Sequence, residues 1–579
     1  MANWNTAENF IANGRLPARE SVVSFEGYSA AGDGGAAQWS RTGDTGTPSQ
    51  SPAQRGDGTL TDATGAVWEI VVIDYIDIAQ LGASTANLDN SAFLSAAVNS
   101  NIPVRIRKAY SYDFKGQAIT FSSETLDIDF GNEIQTIKNF GGITANNARY
   151  VKINGRIDCD NTRFVNMVKC FAVETLNSNL FEIKNVRNVS PVNAEQTFVF
   201  EVSNGTVDKT LNANFGSVKV ANLITETQDF PNATPMTFMG GFGSSGTNTE
   251  KHLINFDEIF AEDFYSVDEA DSTTIIGADS DFFRLFTNPT QLNINTLHLK
   301  NVGKRFVKTQ EQVSCTVVNI YSELSEDFSG ANYNGTFDAQ NNNSGKPTIF
   351  NIVKAEINHP KTSNRPAFFN ASGLEHEMTI NNLQGSGFGY FINGVNGALN
   401  VLGGCISGWR GSATTSKRIY IENCKITDFT TLAAIGAFIK NSEVSLGNDV
   451  ISSGFALDFA KLENVSLSNW DSNVRVSRTS YIKNVILEYA RGSDFRRPFR
   501  PDGALSRFTG LRVVQSGGVA IDAAIESGGA SGDLFVRDYS SATVGLGFLS
   551  SGSYDVILDN CDGTIGGAGV NSLLTATYA

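Results

Sequence analysis

Basic residues are scarce in this sequence, and charged residues of either sign are few. Its 44 lysines and arginines are outnumbered by 60 aspartates and glutamates, which gives a net charge of −16 and a pI near 4.8. A nucleic-acid-binding protein needs a stripe of basic side chains to neutralise phosphates. We therefore exclude nucleic acid as a partner and interpret the negative charge as a contribution to solubility.

Paired cysteines, long apolar runs and a leader segment are also missing. The six cysteines are scattered without a CxxC pair, so we expect small core residues and neither a zinc site nor a dense disulfide scaffold. No stretch approaches about 18 consecutive apolar residues, which excludes a membrane-spanning helix. The amino terminus has neither a basic start nor an apolar segment, so we expect no secretory signal peptide and no export by that route.

What the sequence does contain is a recurring frame of an apolar residue, a polar residue and an asparagine. Most copies place an aromatic residue five or six positions later, and the last copies are spaced by 18, 23 and 20 residues. A period of about 20 residues built from short strands is typical of a β-solenoid, in which each coil covers the open edge of the previous one. We expect the asparagines to hydrogen-bond from coil to coil. They are Asn185, Asn301, Asn382, Asn423, Asn441, Asn464 and Asn484.

Four segments are predicted along the chain. Residues 1–74 form a small β-rich head module, with a short helix capped by Thr6 and a hairpin around residues 63–65. Residues 75–114 contain a strand and an amphipathic helix that shields the first coil. Residues 115–500 form a parallel β-helix, and residues 501–579 form either a trimerising β cap or a continuation of the solenoid.

Two motifs carry a resemblance to a known family. The segment SFEGYSAAGDGGAAQW at 24–39 resembles the module that precedes the β-helix of bacteriophage tailspikes. The segments IDIAQLGA at 76–83 and DNSAFLSAAV at 89–98 resemble the start of a pectate-lyase-like helix, with Leu81 in place of the usual phenylalanine. The resemblance implies an all-β, right-handed, single-stranded parallel β-helix that forms a homotrimer.

The same resemblance implies a function and a location. Tailspikes are virion proteins, attached to the phage tail or baseplate through the amino-terminal module and assembled in the host cytoplasm. They bind and cleave a bacterial surface polysaccharide, which can be O-antigen, capsule or exopolysaccharide, often without a cofactor. A free secreted pectinase-like enzyme is disfavoured by the missing signal peptide and by the head module.

The aromatic residues that close the coils suggest a register for catalytic residues. Aligned on Phe264, Phe306 and Phe328, three charged pairs become equivalent: Glu262-Asp263, Lys304-Arg305 and Glu326-Asp327. With one coil per step, stacking puts the two acidic pairs roughly 10 Å apart. That separation is near the range of about 6.5 to 9.5 Å in inverting glycosidases. With two coils in the first step the pairs are too distant, and charges on a solvated face are the alternative interpretation.

Three functions stay open at this point. We favour an endo-acting glycoside hydrolase, because two acidic pairs align more readily than a base for β-elimination. A polysaccharide lyase is the first alternative and would use Lys304, Arg305, Lys308 and His298, the last expected to point outward between Leu297 and Leu299. The second alternative is a receptor-binding fibre without catalysis.

Aromatic side chains near the long insertions are candidates for stacking on sugar rings. They are Tyr265, Phe282, Tyr321, Tyr333, Tyr390 and Trp409. We expect a solvated acidic loop without metal at Asp268, Glu269, Asp271, Asp279 and Asp281, because no EF-hand spacing is present. We expect structural roles for His252, His359 and His376, and no GxSxG motif indicates an esterase.

Overall fold

A computed structural model gives the fold of the chain. It describes the whole chain except residues 73, 107–110, 122, 190–196, 204–208, 228–235, 242–250, 277–279, 287–288, 304, 330–336, 341–344, 360–366, 387–389, 394–396, 408–409, 413–417, 430–432, 436, 447–454, 459–460, 471–473, 478–479, 490–498, 502–504, 516–524, 528–531, 541–547, 551–553, 562–569 and 577–579. The chain divides into two compact units, Met1–Val307 and Lys308–Ala579. This division falls inside the solenoid predicted for residues 115–500.

The amino-terminal segment forms a five-stranded sheet with an aromatic core. The first two strands are parallel and the other neighbours are antiparallel. The side chains of Trp39 and Trp68 are fully buried, and Phe10 packs its ring against the edge of Trp68 at 5.3 Å. In spatial order the strands are Ala2–Thr6, Val22–Gly27, Ala37–Thr45, Ala66–Ile70 and Thr59–Thr61, with helices at Ala7–Asn13 and Pro52–Arg55.

The helix and hairpin predicted in this segment are confirmed. Thr6 caps the first helix, since its hydroxyl accepts a hydrogen bond from the backbone amide of Asn9 at 3.2 Å. Next come the strand Ile76–Asp77, the 3-10 helix Ile78–Leu81 and the α-helix Ser91–Val98. Leu81 is buried, and the amide of Gln80 donates to the Ala36 carbonyl at 3.2 Å, which ties this helical region to the head sheet.

Each coil of the first unit contributes a long strand to one parallel sheet and a short strand to a second. The long strands are Thr125–Lys138, Tyr150–Thr162, Thr175–Val189, Asn212–Thr227, His252–Asp268 and Thr290–Val302. The short strands are Ile119–Phe121, Ile143–Asn146, Val168–Phe171, Thr197–Ser203, Met236–Gly241 and Asp281–Leu285. The remaining strands are Val104–Arg105, Ser111–Asp113, Ile275–Ile276 and Arg305–Thr309.

Apolar side chains fill the space between these two sheets. Phe215 stacks on Phe256 with centroids 4.6 Å apart, and Phe238 stacks on Phe282 at 4.9 Å. In strands of this kind alternate residues point inward, so rows of equivalent apolar residues build the core coil by coil.

The second unit repeats this arrangement with shorter strands. Its main parallel sheet contains Val313–Glu323, Ile349–Asn358, Glu377–Ser386, Ala398–Val401, Gly404–Ser407, Arg418–Glu422, Cys424–Phe429, Ala437–Leu446, Lys461–Trp470, Ser480–Tyr489, Leu505–Gln515, Gly532–Arg537, Tyr554–Asp559 and Val570–Ala576. Facing strands are Phe337–Ala339, Ala367–Ala371, Tyr390–Asn393, Arg410–Ser412, Ala433–Ile435, Phe455–Asp458, Val474–Ser477, Phe499–Pro501, Ile525–Ser527 and Phe548–Ser550. A 3-10 helix spans Glu326–Ser329.

Parallel pairing continues to the last strand, Val570–Ala576, which pairs with Tyr554–Asp559. The described strands of residues 501–579 extend the stack of parallel strands. The fold is all-β with long stacks of parallel strands, consistent with the predicted parallel β-helix.

Candidate functional site

Most of the recurring asparagines form hydrogen-bonded ladders at left-handed corners of the backbone. Asn222 Nδ2 donates to Asn185 Oδ1 at 2.9 Å, and both residues have φ near 55° (54° and 56°). In the second unit Asn484 Nδ2 donates to Asn464 Oδ1 at 3.0 Å, and Asn464 Nδ2 donates to Asn441 Oδ1 at 2.9 Å. Asparagine is one of the few residues with a side chain that tolerates positive φ. The predicted coil-to-coil bonds are confirmed at these positions. The prediction is wrong for Asn382, whose Oδ1 accepts from Gln384 of the same strand, and for Asn423, whose side chain makes no hydrogen bond in the described structure.

An aspartate takes the place of asparagine in one coil of the first unit. Asp263 has φ 53°, and its Oδ1 accepts a hydrogen bond from Asn301 Nδ2 at 2.8 Å. The register that follows places Glu262 opposite Lys300 and Phe264 opposite Val302. The predicted equivalence of Glu262-Asp263 with the pair at 304–305 is therefore wrong.

The error has a simple physical origin. The left-handed corner sets the register between coils, whereas the aromatic residue after it is not at a fixed distance from the corner. Phe306 lies in the separate strand Arg305–Thr309 and not in the coil strand Thr290–Val302 that pairs with Phe264's strand.

Arg305, one of the two basic residues predicted beside the acidic residues, does not provide a surface charge. Arg305 is 5% exposed, and its Nη1 lies 2.9 Å from Oδ1 of the fully buried Asp281. Lys304 lies outside the described residues. The expectation that Asp281 belongs to a solvated loop is also wrong, because the strand Asp281–Leu285 is buried along its whole length.

Glu326 and Asp327 occupy the first turn of the 3-10 helix Glu326–Ser329 in the second unit. Both side chains are exposed, whereas Phe328 is buried. These residues are not strand positions, so strand register gives them no equivalence with Glu262 and Asp263. The acidic pairs therefore do not form one column in a sheet.

An exposed aromatic pair lies on the outer surface of the first unit. Phe260 is 47% exposed, and its ring stacks on the imidazole of His298 with centroids 4.4 Å apart and an interplanar angle of 23°. The two residues are direct neighbours on adjacent coils. Leu297 and Leu299 are buried, so the predicted outward direction of His298 is confirmed.

Two glutamates flank Phe260 on its own strand. Residues two apart in a strand point to the same face at about 3.3 Å rise per residue, so Glu258 and Glu262 lie on either side of the ring. Glu258 is exposed, and Glu262 Oε1 accepts from Lys300 Nζ at 2.5 Å. Lys219 is the neighbour of Phe260 on the preceding coil.

We call this surface the outer strip. It consists of Lys219, Glu258, Phe260, Glu262, His298 and Lys300. It combines a flat apolar ring, carboxylates that accept hydrogen bonds and cations that donate them. The sequence analysis missed Phe260 because it sought sugar-binding aromatic residues only near the long insertions. The signal was present, since Phe260 is out of phase with the inward Ile259 and Ala261.

The aromatic residues predicted to bind sugar have different outcomes. Phe282 is fully buried against Phe238, so its predicted exposure is wrong. Tyr265 and Tyr321 are half-buried, and Lys354 Nζ lies 5.5 Å from the ring centre of Tyr321. Three predictions lie outside what the structure describes: Tyr333, Trp409 and the side chain of Tyr390.

Two histidines have the structural role that was predicted. Nδ1 of His252 accepts the Leu211 amide at 3.1 Å, and Nδ1 of His376 accepts the Thr348 amide at 3.0 Å. Burial lowers the pKa of His252 to about 4 and also lowers the pKa of His376, so both imidazoles are neutral at pH 7.

The third of these histidines, His359, is also buried in the second unit. The hydroxyl oxygen of Ser322 and Nε2 of His359 lie 2.8 Å apart, with both residues buried. This contact satisfies two polar groups within the fold, in agreement with a structural role.

Hydrogen bonds within the acidic loop satisfy the carboxylate of Asp271. Asp271 accepts hydrogen bonds from the amides of Thr273 and Thr274 and from the Thr274 hydroxyl, which lowers the pKa of its carboxyl to about 2. Within the described part of the chain, no group of three or more histidine, cysteine or acidic residues is arranged to hold a metal.

The cysteines are free thiols, four of them buried as expected for core residues. They are Cys159, Cys170, Cys315 and Cys424. Burial raises the pKa of Cys315 to about 12. Cys405 is exposed and Cys561 is half-buried, so the core prediction is wrong for Cys405.

No protein-family model matches the chain, and no curated protein matches it. Among the described residues, no helix is long and apolar enough to cross a membrane.

Proposed function

We propose that the chain binds a bacterial surface polysaccharide along the outer strip and cleaves it as an endo-acting glycoside hydrolase. The observation that carries the proposal is the exposed ring of Phe260, stacked on His298 and flanked by Glu258 and Glu262. One face of the Phe260 ring lies against the imidazole of His298, and the part of the ring that stays exposed is the apolar surface that the C–H face of a sugar can cover. Carboxylates beside it accept hydrogen bonds from sugar hydroxyls.

The spacing of the coils supports an extended ligand. Lys219, Phe260 and His298 lie on three successive coils, about 4.8 Å apart per step. A glycan that runs along this row meets a donor, then an apolar face, then a ring nitrogen. Successive coils therefore contact successive parts of one polysaccharide chain.

Cleavage is assigned to the two glutamates. The two residues are four positions apart, roughly 13 Å along the strand between Cα atoms, and side chains leaning toward each other in the complex would bring the carboxyl groups to the range of about 6.5 to 9.5 Å used in inverting hydrolysis. Lys300 places a positive charge beside Glu262, which suits the carboxylate base that takes a proton from water. Glu258, which has no ion pair among the described residues, protonates the departing glycosidic oxygen as the water attacks the anomeric carbon.

The biological setting is part of the proposal. The head segment contains the tailspike-like motifs and a five-stranded sheet with its own aromatic core. Both features support attachment to a phage tail. We further propose a homotrimer, as in the proteins that the sequence resembles.

The test is incubation with a panel of purified bacterial surface polysaccharides, followed by size-exclusion chromatography. Hydrolysis yields shorter fragments without new ultraviolet absorbance, and the variants Glu258→Gln and Glu262→Gln lose this activity. Glu69→Gln, an exposed glutamate of the head sheet, is the matched control and keeps it. Fragments with the absorbance of a new double bond identify a lyase, and binding without fragments identifies a receptor-binding fibre. Full activity in both glutamine variants contradicts the assignment of these residues.

A further inference from the structure

A groove on the outer surface of the second compact unit coincides with an interruption of the asparagine ladder. Its volume is about 650 Å³, and its lining includes Asn382, Gly403, Gly404, Asn423 and Asn441. Asn423 and Asn441 lie at left-handed corners, with φ of 55° and 49°. On the preceding coil Gly404 is the neighbour of Cys424, which places Gly403 below Asn423. The ladder has no side chain at that position.

The amide of Asn423 is consequently available. In the part of the chain that the structure describes, its side chain makes no hydrogen bond to another residue, although Asn464 donates to Asn441 on the coils beyond. On the other side of the groove, Asn382 Oδ1 accepts from Gln384 Nε2 at 2.9 Å. The walls of the groove are therefore carboxamides, which both donate and accept hydrogen bonds.

Two glycines keep the floor of the groove open. Gly404 has φ 136°, and a Cβ atom there would lie 1.8 Å from the Leu383 carbonyl oxygen, so only glycine fits. A Cβ atom at Gly403 would lie 3.0 Å from the Asn381 carbonyl oxygen, a tight but adjustable contact. A longer side chain at Gly403 would occupy the space that the ladder leaves empty.

The charges in the groove cancel. Lys425 and Glu443 are neighbours on adjacent coils, with Nζ and Oε2 3.7 Å apart, and both are well exposed. A single exposed pair of this kind adds little binding energy and favours neither an anion nor a cation. We infer that the groove binds a neutral saccharide unit, whose hydroxyl or acetamido groups pair with the carboxamides. The inference rests on this groove alone and does not depend on cleavage at the outer strip.

Cys405 provides a reporter for occupancy. It lines the groove and is exposed, whereas Cys159, Cys170, Cys315 and Cys424 are buried. The rate at which iodoacetamide alkylates Cys405, resolved by mass spectrometry, can be measured with maltohexaose, with chitohexaose and with hexagalacturonate at millimolar concentration. We expect one of the two neutral oligosaccharides to slow alkylation by about threefold, the factor for a ligand at twice its Kd, and the acidic hexamer to leave the rate unchanged.

Two variants test whether the protection arises in the groove. Gly403→Asn fills the gap with the ladder's own side chain, and Asn423→Gly removes the amide while keeping a residue that suits φ 55°. Both variants are expected to abolish protection without lowering the unfolding midpoint. Phe260→Ala is expected to keep the protection, which separates this site from the outer strip. Absence of protection by either neutral oligosaccharide, equal protection by hexagalacturonate, or protection that persists in both variants would overturn the inference.

Discussion

Asn301 donates its side-chain amide to the carboxylate of Asp263 across 2.8 Å, which makes Asp263 a member of the asparagine ladder. On the other side Asp263 follows Asn222 in register, and no hydrogen bond joins their side chains in the described structure. A carboxylate cannot donate to the Asn222 carbonyl oxygen, so the ladder is interrupted between these two coils.

Asp263→Asn is therefore expected to stabilise the protein. The new amide can donate to Asn222 and still accept from Asn301, which adds one hydrogen bond worth about 1 kcal/mol. Urea denaturation should show a higher midpoint, and Asp263→Ala should show a lower one because alanine is unsuited to φ 53°. Cleavage of polysaccharide should be unchanged in Asp263→Asn. Loss of cleavage in this variant would show that Asp263 takes part in catalysis.

The register of the coils shows what the sequence can and cannot predict. The frame around Asn185 and Asn464 predicts left-handed corners because few residues other than glycine and asparagine accept positive φ. The sequence does not show whether Phe306 belongs to the same strand as the corner or to the next one. The distance from corner to aromatic depends on tertiary packing, so alignment on Phe264 and Phe306 failed.

The burial of residues near the insertions is the second feature that the sequence predicts only in part. Alternation identifies His298 as outward, because Leu297 and Leu299 enclose it in sequence. Alternation fails in the strand Asp281–Leu285, where every residue is buried because neighbouring segments cover both faces. Asp281 is buried and Phe260 is exposed, which is the opposite of the ordinary preference of each residue type. Residue type therefore does not predict the burial of these two side chains.

Arg305→Met is expected to destabilise the protein without a direct effect on chemistry. It removes the Arg305 guanidinium from the fully buried carboxylate of Asp281, and breaking a buried ion pair typically costs about 3 to 5 kcal/mol. Thermal unfolding should show a clear drop, and the double variant Asp281→Leu/Arg305→Met should recover part of it. An Arg305→Met protein with unchanged stability and no cleavage would show instead that Arg305 acts on the substrate.

Stability should fall in mild acid because of His252. Its imidazole must be neutral to accept the Leu211 amide, and its pKa of about 4 lies below the value near 6.5 in the unfolded chain. Above pH 6.5 the imidazole is neutral in both the folded and the unfolded state, so the unfolding free energy does not change. Between about pH 6.5 and 4 the unfolded state binds the proton first, so up to about 3 kcal/mol of unfolding free energy disappears.

The measurement is urea denaturation at several pH values, with His252→Gln as the comparison. The variant has no titrating group at this position, so its stability should depend less on pH in this window. Parallel pH profiles for the two proteins would show that His252 makes no contribution.

The central claim is that the exposed ring of Phe260 binds a surface polysaccharide, and its most direct test is the affinity of Phe260→Ala. The polysaccharide is the one identified in the panel, and dissociation constants are measured by co-sedimentation for the wild type and the variant. Loss of one stacking partner worth about 1.5 kcal/mol should weaken binding roughly tenfold. Because the ring is 47% exposed, the unfolding midpoint should change little. Equal affinity in the wild type and Phe260→Ala would contradict the assignment of the outer strip.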